Sequence, residues 1–246
     1  MTVIDFTRDS CAKCPIRHRA VCSSCDDDEL LVLEKIKRYR SFEAGQPIVW
    51  RGDALNEVAS VVSGVASISQ SMEDGRTQMV GLLFASDFIG GPGRDIAPYD
   101  VTAVTEVTLC SFERPSFEQI VKTTPNVSSR LIEMALDELD AARDWMLLLG
   151  RKTAREKIAS LLALISRRAA VQTTGDGVAT QTIELPLTRE AMADYLGLTL
   201  ETVSRQMSRL KAEGVIQLDG KRIIHILDVE RLLIETGDDE DGGIVV

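Results

Sequence analysis

Apolar residues recur at alternating steps of three and four between Ile132 and Leu149, which is the spacing of one face of an α-helix. Because a coiled-coil seam has the same spacing, the pattern predicts a long helix beyond Pro125 that joins two domains or two subunits. An ordinary core helix would show the same pattern over so short a stretch. The predicted seam positions are Ile132, Ala135, Leu139, Ala142, Met146 and Leu149.

Short runs rich in valine, isoleucine and threonine, separated by glycines, occupy residues 41–112. Regularly spaced turns between short strands are typical of an antiparallel roll or barrel. Glu73-Asp74-Gly75 is predicted to form the tip of a hairpin, because an Asp-Gly pair tolerates the positive φ of a tight turn. Ahead of the strands, Asp26 or Asp27 can cap a short helix.

A helical pattern returns at residues 187–214, LTREAMADYLGLTLETVSRQMSRLKAEG, after a polar loop at residues 171–181. Thr188 and Thr199 can each cap a helix, and Gly197 makes the turn between them, which predicts a helix-turn-helix. The second helix is expected to be apolar on one face and polar on the other. The apolar stripe is predicted as Leu200, Val203, Met207 and Leu210, and the polar face as Glu201, Ser204, Arg205 and Ser208.

The polar face of this second helix has the chemistry needed to read DNA bases. A carboxylate such as Glu201 accepts a hydrogen bond from cytosine N4, and an arginine fork such as Arg205 binds guanine O6 and N7. Residues 215–226 then predict a hairpin wing whose tip carries Lys221 and Arg222, where a phosphate backbone would pass. The wing argues against the alternative, a solvated charged face on an ordinary helix pair.

Composition and charge limit the classes of function. The 246 residues are 44% hydrophobic, which is enough for the cores of two modest domains. No apolar run approaches the roughly 20 residues of a membrane helix, and residues 1–10 lack a signal-peptide core, so a cytoplasmic protein is predicted. The net charge of -10 argues against nucleic acid, but much of the acid lies in residues 26–29 and in the tail after Gly237. A basic face remains compatible with this distribution.

Four of the five cysteines lie in residues 11–25, CAKCPIRHRAVCSSC, as two C-x-x-C pairs. Thiolates are soft ligands that repel one another unless a cation neutralises them, so the pattern predicts a metal site. The residues alone suit either an iron-sulfur cluster or a tetrahedral zinc held by the four clustered cysteines. The fifth cysteine, Cys110, is by itself typical of a buried core thiol. The clustered cysteines are Cys11, Cys14, Cys22 and Cys25.

An enzyme of the thiol-disulfide oxidoreductase class would also use C-x-x-C. That motif normally opens a helix after a strand in a thioredoxin-like βαβ unit, and nothing of that kind surrounds Cys11. The two histidines, His18 and His225, have no partner constellation for hydrolysis. The sequence therefore predicts a protein that is not an enzyme.

The order of these parts resembles the CRP/FNR superfamily of bacterial transcription regulators, and nearly the whole chain resembles its oxygen-sensing FNR branch, of the FnrL type. Residues 198–205, LTLETVSR, are similar to the recognition-helix signature, and residues 146–152 to the end of the dimerisation helix. The glycines at 45, 52 and 64 resemble those of the family's β-roll. The resemblance implies an α+β fold with a cyclic-nucleotide-binding-like β-roll, a long dimerisation helix and a C-terminal winged helix-turn-helix. The implied boundaries are 1–29 for a cysteine-rich cluster-binding segment, 30–124 for the roll, 125–150 for the helix and 151–246 for the DNA-binding domain.

In the FNR branch, three amino-terminal cysteines and one distant cysteine hold an oxygen-labile [4Fe-4S] cluster. The resemblance therefore implies that Cys11, Cys14 and Cys22 are the near ligands. It implies Cys110 as the remote ligand and leaves Cys25 as an alternative to Cys22. The segment between Cys14 and Cys22 is longer than in the best-known members, which is why the third near ligand stays open.

The resemblance also implies a homodimer that binds near-palindromic DNA of the TTGAT-N4-ATCAA type and controls anaerobic genes with RNA polymerase. The hairpin tip at residues 73–76 is the expected polymerase contact. Residues 90–100 lack the superfamily's cyclic-nucleotide clamp, which argues against cyclic AMP as effector. Ala142 stands where some relatives carry a carboxylate that keeps the cluster-free protein monomeric. The predicted DNA-binding residues are Thr199, Glu201, Ser204, Arg205, Ser208, Arg209 and Lys221.

Overall fold

The computed structural model describes residues 11–170 and 181–238. The chain divides into two compact units between Leu136 and Asp137, inside one long helix. We call them the amino-terminal unit and the carboxyl-terminal unit. Residues 1–10, the first ten residues of the predicted polar loop (171–180) and the acidic tail beyond Asp238 lie outside the described ranges. The four-part division implied by the family resemblance stays a prediction.

The described chain alternates short strands with helices of very different lengths. After a 3₁₀ turn at Cys11–Lys13, the helices are α1 (Asp27–Ile36), α2 (Arg114–Thr123), α3 (Pro125–Arg151), α4 (Ala154–Ala170), α5 (Arg189–Leu196), α6 (Leu200–Ala212) and α7 (Val229–Ile234). The strands are β1 (Lys37–Phe42), β2 (Pro47–Val49), β3 (Glu57–Ser63), β4 (Ala66–Ser71), β5 (Thr77–Leu83), β6 (Phe88–Ile89), β7 (Asp100–Ala103), β8 (Val107–Glu113), β9 (Gln181–Glu184), β10 (Ile216–Asp219) and β11 (Ile223–Ile226). No helix among the described residues is long and apolar enough to cross a membrane.

The amino-terminal unit is built on the predicted β-roll. Two four-stranded antiparallel sheets have the orders β1-β8-β3-β6 and β2-β7-β4-β5, and apolar side chains from both sheets form the core of the roll. The predicted hairpin tip joins β4 to β5, where Met72 N donates to Arg76 O at 2.7 Å and Gly75 has φ of 87°. That positive φ is the reason the turn needs glycine.

Strand β8 places alternate side chains on opposite faces of its sheet. Val107 and Leu109 belong to the core of the roll, whereas Cys110 and Phe112 belong to a second core on the outer face. Phe117 of α2, which has no solvent exposure, also packs in this outer core. The outer core continues into α1, the start of α3 and the cysteine segment, residues 11–25. The sheet therefore carries Cys110 toward the clustered cysteines.

Two elements of the amino-terminal unit differ from the prediction. Strand β1 begins at Lys37, four residues before the strand region predicted to start near Ser41. The prediction missed this start because the exposed Arg38 and Arg40 make these residues look polar rather than strand-like. Helix α2 was not predicted, since it is short and only Phe117 and Ile120 are buried. Helix α1 begins as predicted, with Asp26 capping it through a reciprocal pair with Glu29.

The carboxyl-terminal unit contains the predicted helix-turn-helix. Thr188 and Thr199 cap α5 and α6 by accepting from Ala191 N and Thr202 N, and Gly197 between them is left-handed at φ 61°. The sheet β10-β11-β9 forms the wing. One expectation about α6 was wrong. Leu200 is 51% exposed, since it is the first residue of the helix and lies at the edge of the core, whereas the rest of the predicted stripe is buried.

Candidate metal centre and nucleic-acid interface

Four cysteine thiols line one cavity on the outer face of the first sheet. Three belong to the cysteine segment, and the fourth, Cys110, comes from β8. Cys25 is buried at 6% exposure but does not line this cavity. The lining of the cavity thus includes Cys22 but not Cys25, whereas the spacing of the cysteines in the sequence does not distinguish these two residues. The cavity is lined by Cys11, Cys14, Ile16, Ala20, Val21, Cys22, Leu33, Tyr39, Ser60, Cys110 and Phe112.

The sheet places two polar side chains beside the remote cysteine. Cys110 of β8 is paired with Tyr39 of β1 on one side and with Ser60 of β3 on the other. Residues paired directly across antiparallel strands project from the same face, so all three side chains point toward the cavity. Sequence reasoning missed Tyr39 and Ser60, because both positions follow from strand register rather than from any local motif.

Arg17 fixes the turn that contains Cys22 and Cys25. Its guanidinium donates to the carbonyl oxygens of Cys22, Ser23 and Cys25, each at 2.6 Å. Three charge-assisted bonds to one short turn restrict its backbone strongly. Arg17 lies inside the long segment between the second and third cysteines, so this segment carries its own device for orienting Cys22 toward the cavity and Cys25 away from it.

Burial dominates the electrostatics of the thiols. It raises the pKa of Cys22 to about 11, although the nearby Arg17 acts in the opposite direction. Burial also raises the pKa of Cys25 to about 12, and it holds the pKa of Cys110 far above the ordinary range of a thiol. The other cavity thiols add to the rise at Cys110. Without a cation these thiols stay protonated at neutral pH, so any metal must displace protons to bind.

The arrangement of the donors fits a group larger than a single ion. Among the described residues, no three side chains of His, Cys, Asp or Glu converge closely enough to hold one metal ion. Four thiols nevertheless surround one cavity, and the buried Ser60 hydroxyl there has no hydrogen-bond partner in the part of the chain that the structure describes. A four-iron cube takes its cysteine ligands at separate corners, so it needs sulfurs spaced more widely than zinc does. The four cysteine sulfurs around this cavity are the number and type of ligand that such a cluster takes.

The cysteine segment packs against the first turns of α3. Arg130 Nη2 donates to the carbonyl of Arg19 at 2.9 Å, and Asn126 Nδ2 donates to Glu29 Oε2 at 2.9 Å. Val127 has no solvent exposure and belongs to the same outer core as the cysteines. Within the amino-terminal unit, the fold of the cysteine segment and the position of this helix start are therefore coupled.

Further along, α3 exposes an apolar face. Of the predicted seam positions, Ile132, Leu139 and Met146 are 62%, 45% and 74% exposed, and both seam alanines are exposed. Leu149 is only half-buried. Two further leucines are exposed that the pattern did not include, Leu136 and Leu147. Leu136 lies four residues after Ile132, so helical spacing would have placed it beside the seam. Leu147 directly follows Met146, so the same spacing would not have placed it there.

The end of α3 packs against the helix-turn-helix. The ring of Trp145 stacks on that of Tyr195 in α5, with 4.1 Å between centroids and 21° between planes. Leu148, one turn later, has no solvent exposure. Within the carboxyl-terminal unit, the orientation of α5 is thus tied to α3.

Helix α6 presents the predicted polar face to solvent. Arg205 Nη1 lies 3.7 Å from Glu201 Oε1, and Arg205 Nη2 lies 3.5 Å from Thr202 Oγ1. The guanidinium therefore lies against the first turn of the helix, beside Glu201. Ser208 Oγ donates to the carbonyl of Ser204 at 2.9 Å and can still accept a bond. The Thr199 hydroxyl serves as the helix cap. The exposed residues of the predicted DNA-binding set are Thr199, Glu201, Ser204, Arg205, Ser208, Arg209 and Lys221.

At the tip of the wing, the two basic residues differ. Lys221 is exposed between β10 and β11. Arg222 is also exposed, but its Nη1 lies 3.5 Å from the carbonyl of Pro186, at the outer limit of a hydrogen bond. Lys221 is the better placed of the two for a phosphate.

Comparison with known proteins gives the family. Residues 39–124 match a cyclic nucleotide-binding domain, and residues 156–233 match a Crp-like helix-turn-helix domain. The chain is 62% identical over 96% of its length to the transcriptional activator protein FnrL of Cereibacter sphaeroides, covering 95% of that protein. The chain belongs to the CRP/FNR family of transcription regulators. The predicted FnrL-type membership and the predicted fold class are confirmed.

Other members of the CRP/FNR family agree with this placement. The nitrogen fixation regulation protein FixK of Bradyrhizobium diazoefficiens is 37% identical to this chain, and the match covers 85% of this chain and 86% of FixK. The solved structure of FixK2 from Bradyrhizobium japonicum superposes with a TM-score of 0.72 at 30% identity, covering 81% of this chain and 96% of that one. This CRP/FNR regulator is therefore a DNA-binding protein and, as predicted, not an enzyme.

Proposed function

We propose that this protein is an oxygen-responsive transcriptional activator that binds near-palindromic DNA as a homodimer and acts with RNA polymerase in the cytoplasm. A [4Fe-4S] cluster held by Cys11, Cys14, Cys22 and Cys110 controls the binding. The observation that carries this proposal is the single cavity lined by those four thiols and not by Cys25. The named activator FnrL at 62% identity supports the activator role. The TTGAT and ATCAA half-sites are what the family resemblance implies.

The ligand set connects two parts of the chain that are distant in sequence. Three thiols lie on the cysteine segment, and Cys110 lies on a central strand of the first sheet. A [4Fe-4S] cluster bound by these thiolates would cross-link the two parts of the chain for as long as it stays intact. The positive charge of the iron would also offset the burial that raises the pKa of Cys22 and of Cys110. The fold of the segment is therefore stabilised by whatever occupies the cavity.

The segment passes this stabilisation to α3. The bond from Arg130 to the Arg19 carbonyl and the packing of Val127 depend on the segment keeping its fold. Those contacts fix the start of the helix that carries the exposed apolar face. We assign this face to a second copy of the chain, because an apolar helix face rimmed by charges is typical of a subunit interface. Two-fold symmetry of the dimer then matches two half-sites about one turn of DNA apart.

The zinc alternative needs Cys25 beside the other three clustered cysteines. Cys25 lies outside the cavity, and the carbonyls on either side of its turn are held by Arg17. A structural zinc would also leave Cys110 without a role among the four cavity thiols. The iron-sulfur proposal accounts for both observations, so we prefer it.

The DNA-reading face can be tested by comparing Arg205→Ala with Lys221→Ala. We expect Arg205→Ala to lose about 1–3 kcal/mol of binding free energy on a TTGAT-ATCAA operator, because a bidentate contact to guanine is removed. The loss should shrink on an operator whose half-site guanines are replaced. Lys221→Ala should weaken both operators equally and lower the salt dependence of binding, since it removes a phosphate contact. Fluorescence anisotropy with the anaerobically purified proteins measures all four affinities.

The two variants control for each other, because each removes one positive charge from an exposed position of the same unit. If Arg205→Ala lost the same free energy on both operators, Arg205 would be a phosphate contact and the predicted base-reading face would be wrong.

A further inference from the structure

Ser60 lines the cavity, and its hydroxyl is an unsatisfied hydrogen-bond donor within the described part of the chain. The side chain is 2% exposed, and its Oγ has no hydrogen-bond partner among the described residues. Leaving a buried hydroxyl unpaired is costly, so such a group calls for an explanation. Another buried serine of the roll, Ser67, does have a partner, because its Oγ donates to the carbonyl of Thr102 at 3.4 Å. The unpaired hydroxyl of β3 therefore belongs to a residue that lines the cavity.

The position of Ser60 narrows what its hydroxyl can reach. Strand register pairs it with Cys110, and both side chains line the same cavity as the three near cysteines. Tyr39 lies on the opposite side of Cys110, and burial, followed by the nearby thiols including a hydrogen bond with Cys14, raises the pKa of its hydroxyl. The remaining cavity wall is apolar, with Ile16, Val21, Leu33 and Phe112 among its residues. An iron-sulfur group held by the cavity cysteines would bring only sulfur acceptors, thiolate or inorganic sulfide, close to Ser60.

We infer that Ser60 donates its hydroxyl proton to a sulfur of the bound iron-sulfur group and so sets how readily that group is oxidised. This inference rests on the proposed function, because it needs a cluster in the cavity. Hydrogen bonds to cluster sulfurs favour the more electron-rich state, which raises the reduction potential. Ser60 is a positioning residue in this scheme, since it contacts a sulfur and binds no iron.

The test compares Ser60→Ala with parent protein purified and reconstituted without air. We expect Ser60→Ala to hold as much iron as the parent, because all four thiols remain. Its cluster should have a lower reduction potential in an anaerobic redox titration and should lose its visible absorption about tenfold faster in air. An exchangeable proton coupled to the reduced cluster, seen by electron-nuclear double resonance, should be present in the parent and absent from the variant.

Two further variants separate the hydroxyl from packing. Ser67→Ala removes a buried serine hydroxyl from the second sheet and should keep the parent's potential and bleaching rate. Ser60→Thr keeps the hydroxyl and should restore the parent's exchangeable proton and potential. If the Ser60→Ala cluster kept the parent's potential, or if Ser60→Thr behaved like Ser60→Ala, the role of Ser60 would be overturned while the proposed function stood. A parent protein without iron would overturn the proposed function and this role with it.

Discussion

Cys22→Ser is expected to abolish iron binding by the anaerobically purified protein, whereas Cys25→Ser is expected to keep it. Cys22 lines the cavity with the three other candidate ligands, and Cys25 is buried elsewhere. A four-cysteine cluster that loses one thiolate loses a quarter of its ligands, and serine is a poor substitute for a soft sulfur ligand. Counting iron and acid-labile sulfide per protomer measures the difference directly.

The Cys25 variant is also the matched control for the loss of a buried thiol. Its hydroxyl is buried in place of a sulfur, which should cost about 1–3 kcal/mol of unfolding free energy without removing the cluster. Circular dichroism and denaturant unfolding of both variants show whether each is folded. The opposite result, with iron retained by Cys22→Ser and lost from Cys25→Ser, would show that Cys25 is the third near ligand.

Leu139→Lys is expected to convert the proposed dimer into monomers and to lower operator affinity on the order of 10²-fold or more. Leu139 lies in the middle of the exposed apolar face of α3. A lysine from each protomer would meet its copy across a two-fold axis, which combines like charges with lost apolar burial. A monomer binds one half-site only, so it loses the advantage of holding both at once. Sedimentation velocity and anisotropy titrations measure the two effects.

Asp137→Lys is the control for this substitution. Asp137 is exposed and lies two residues from Leu139, which places it on nearly the opposite side of the helix. Both variants gain a positive charge, which by itself favours DNA. Asp137→Lys should therefore stay dimeric and bind the operator at least as well as the parent. A dimeric Leu139→Lys protein would mean that another surface joins the subunits.

Local chemistry made the helix-turn-helix predictable. Thr188, Gly197 and Thr199 each act through neighbours within a few residues, so the caps and the turn could be placed from sequence spacing. The same holds for the hairpin tip at Gly75, where one backbone angle decides the turn. The capping pair of Thr153 and Glu156 at the start of α4 is a further local signal that the structure contains.

The composition of the cavity was predictable only in part. The family resemblance placed Cys110 with the near cysteines, but the choice of Cys22 over Cys25 depends on how Arg17 folds a turn. Ser60 lies there because two strands pair in one register, and a serine in a valine-rich strand has no local feature that reveals this. Contacts set by register and by long-range packing lie beyond what periodicity can show.

The central claim is that the cluster in the cavity favours the form that binds DNA. The most direct measurement compares one anaerobic preparation before and after a chelator removes its iron, and again after reconstitution, on the same TTGAT-ATCAA operator. The account predicts that stripping weakens binding about 5–150-fold, the usual range of coupling between two sites, and that reconstitution restores it. Equal operator affinity with and without iron would contradict it.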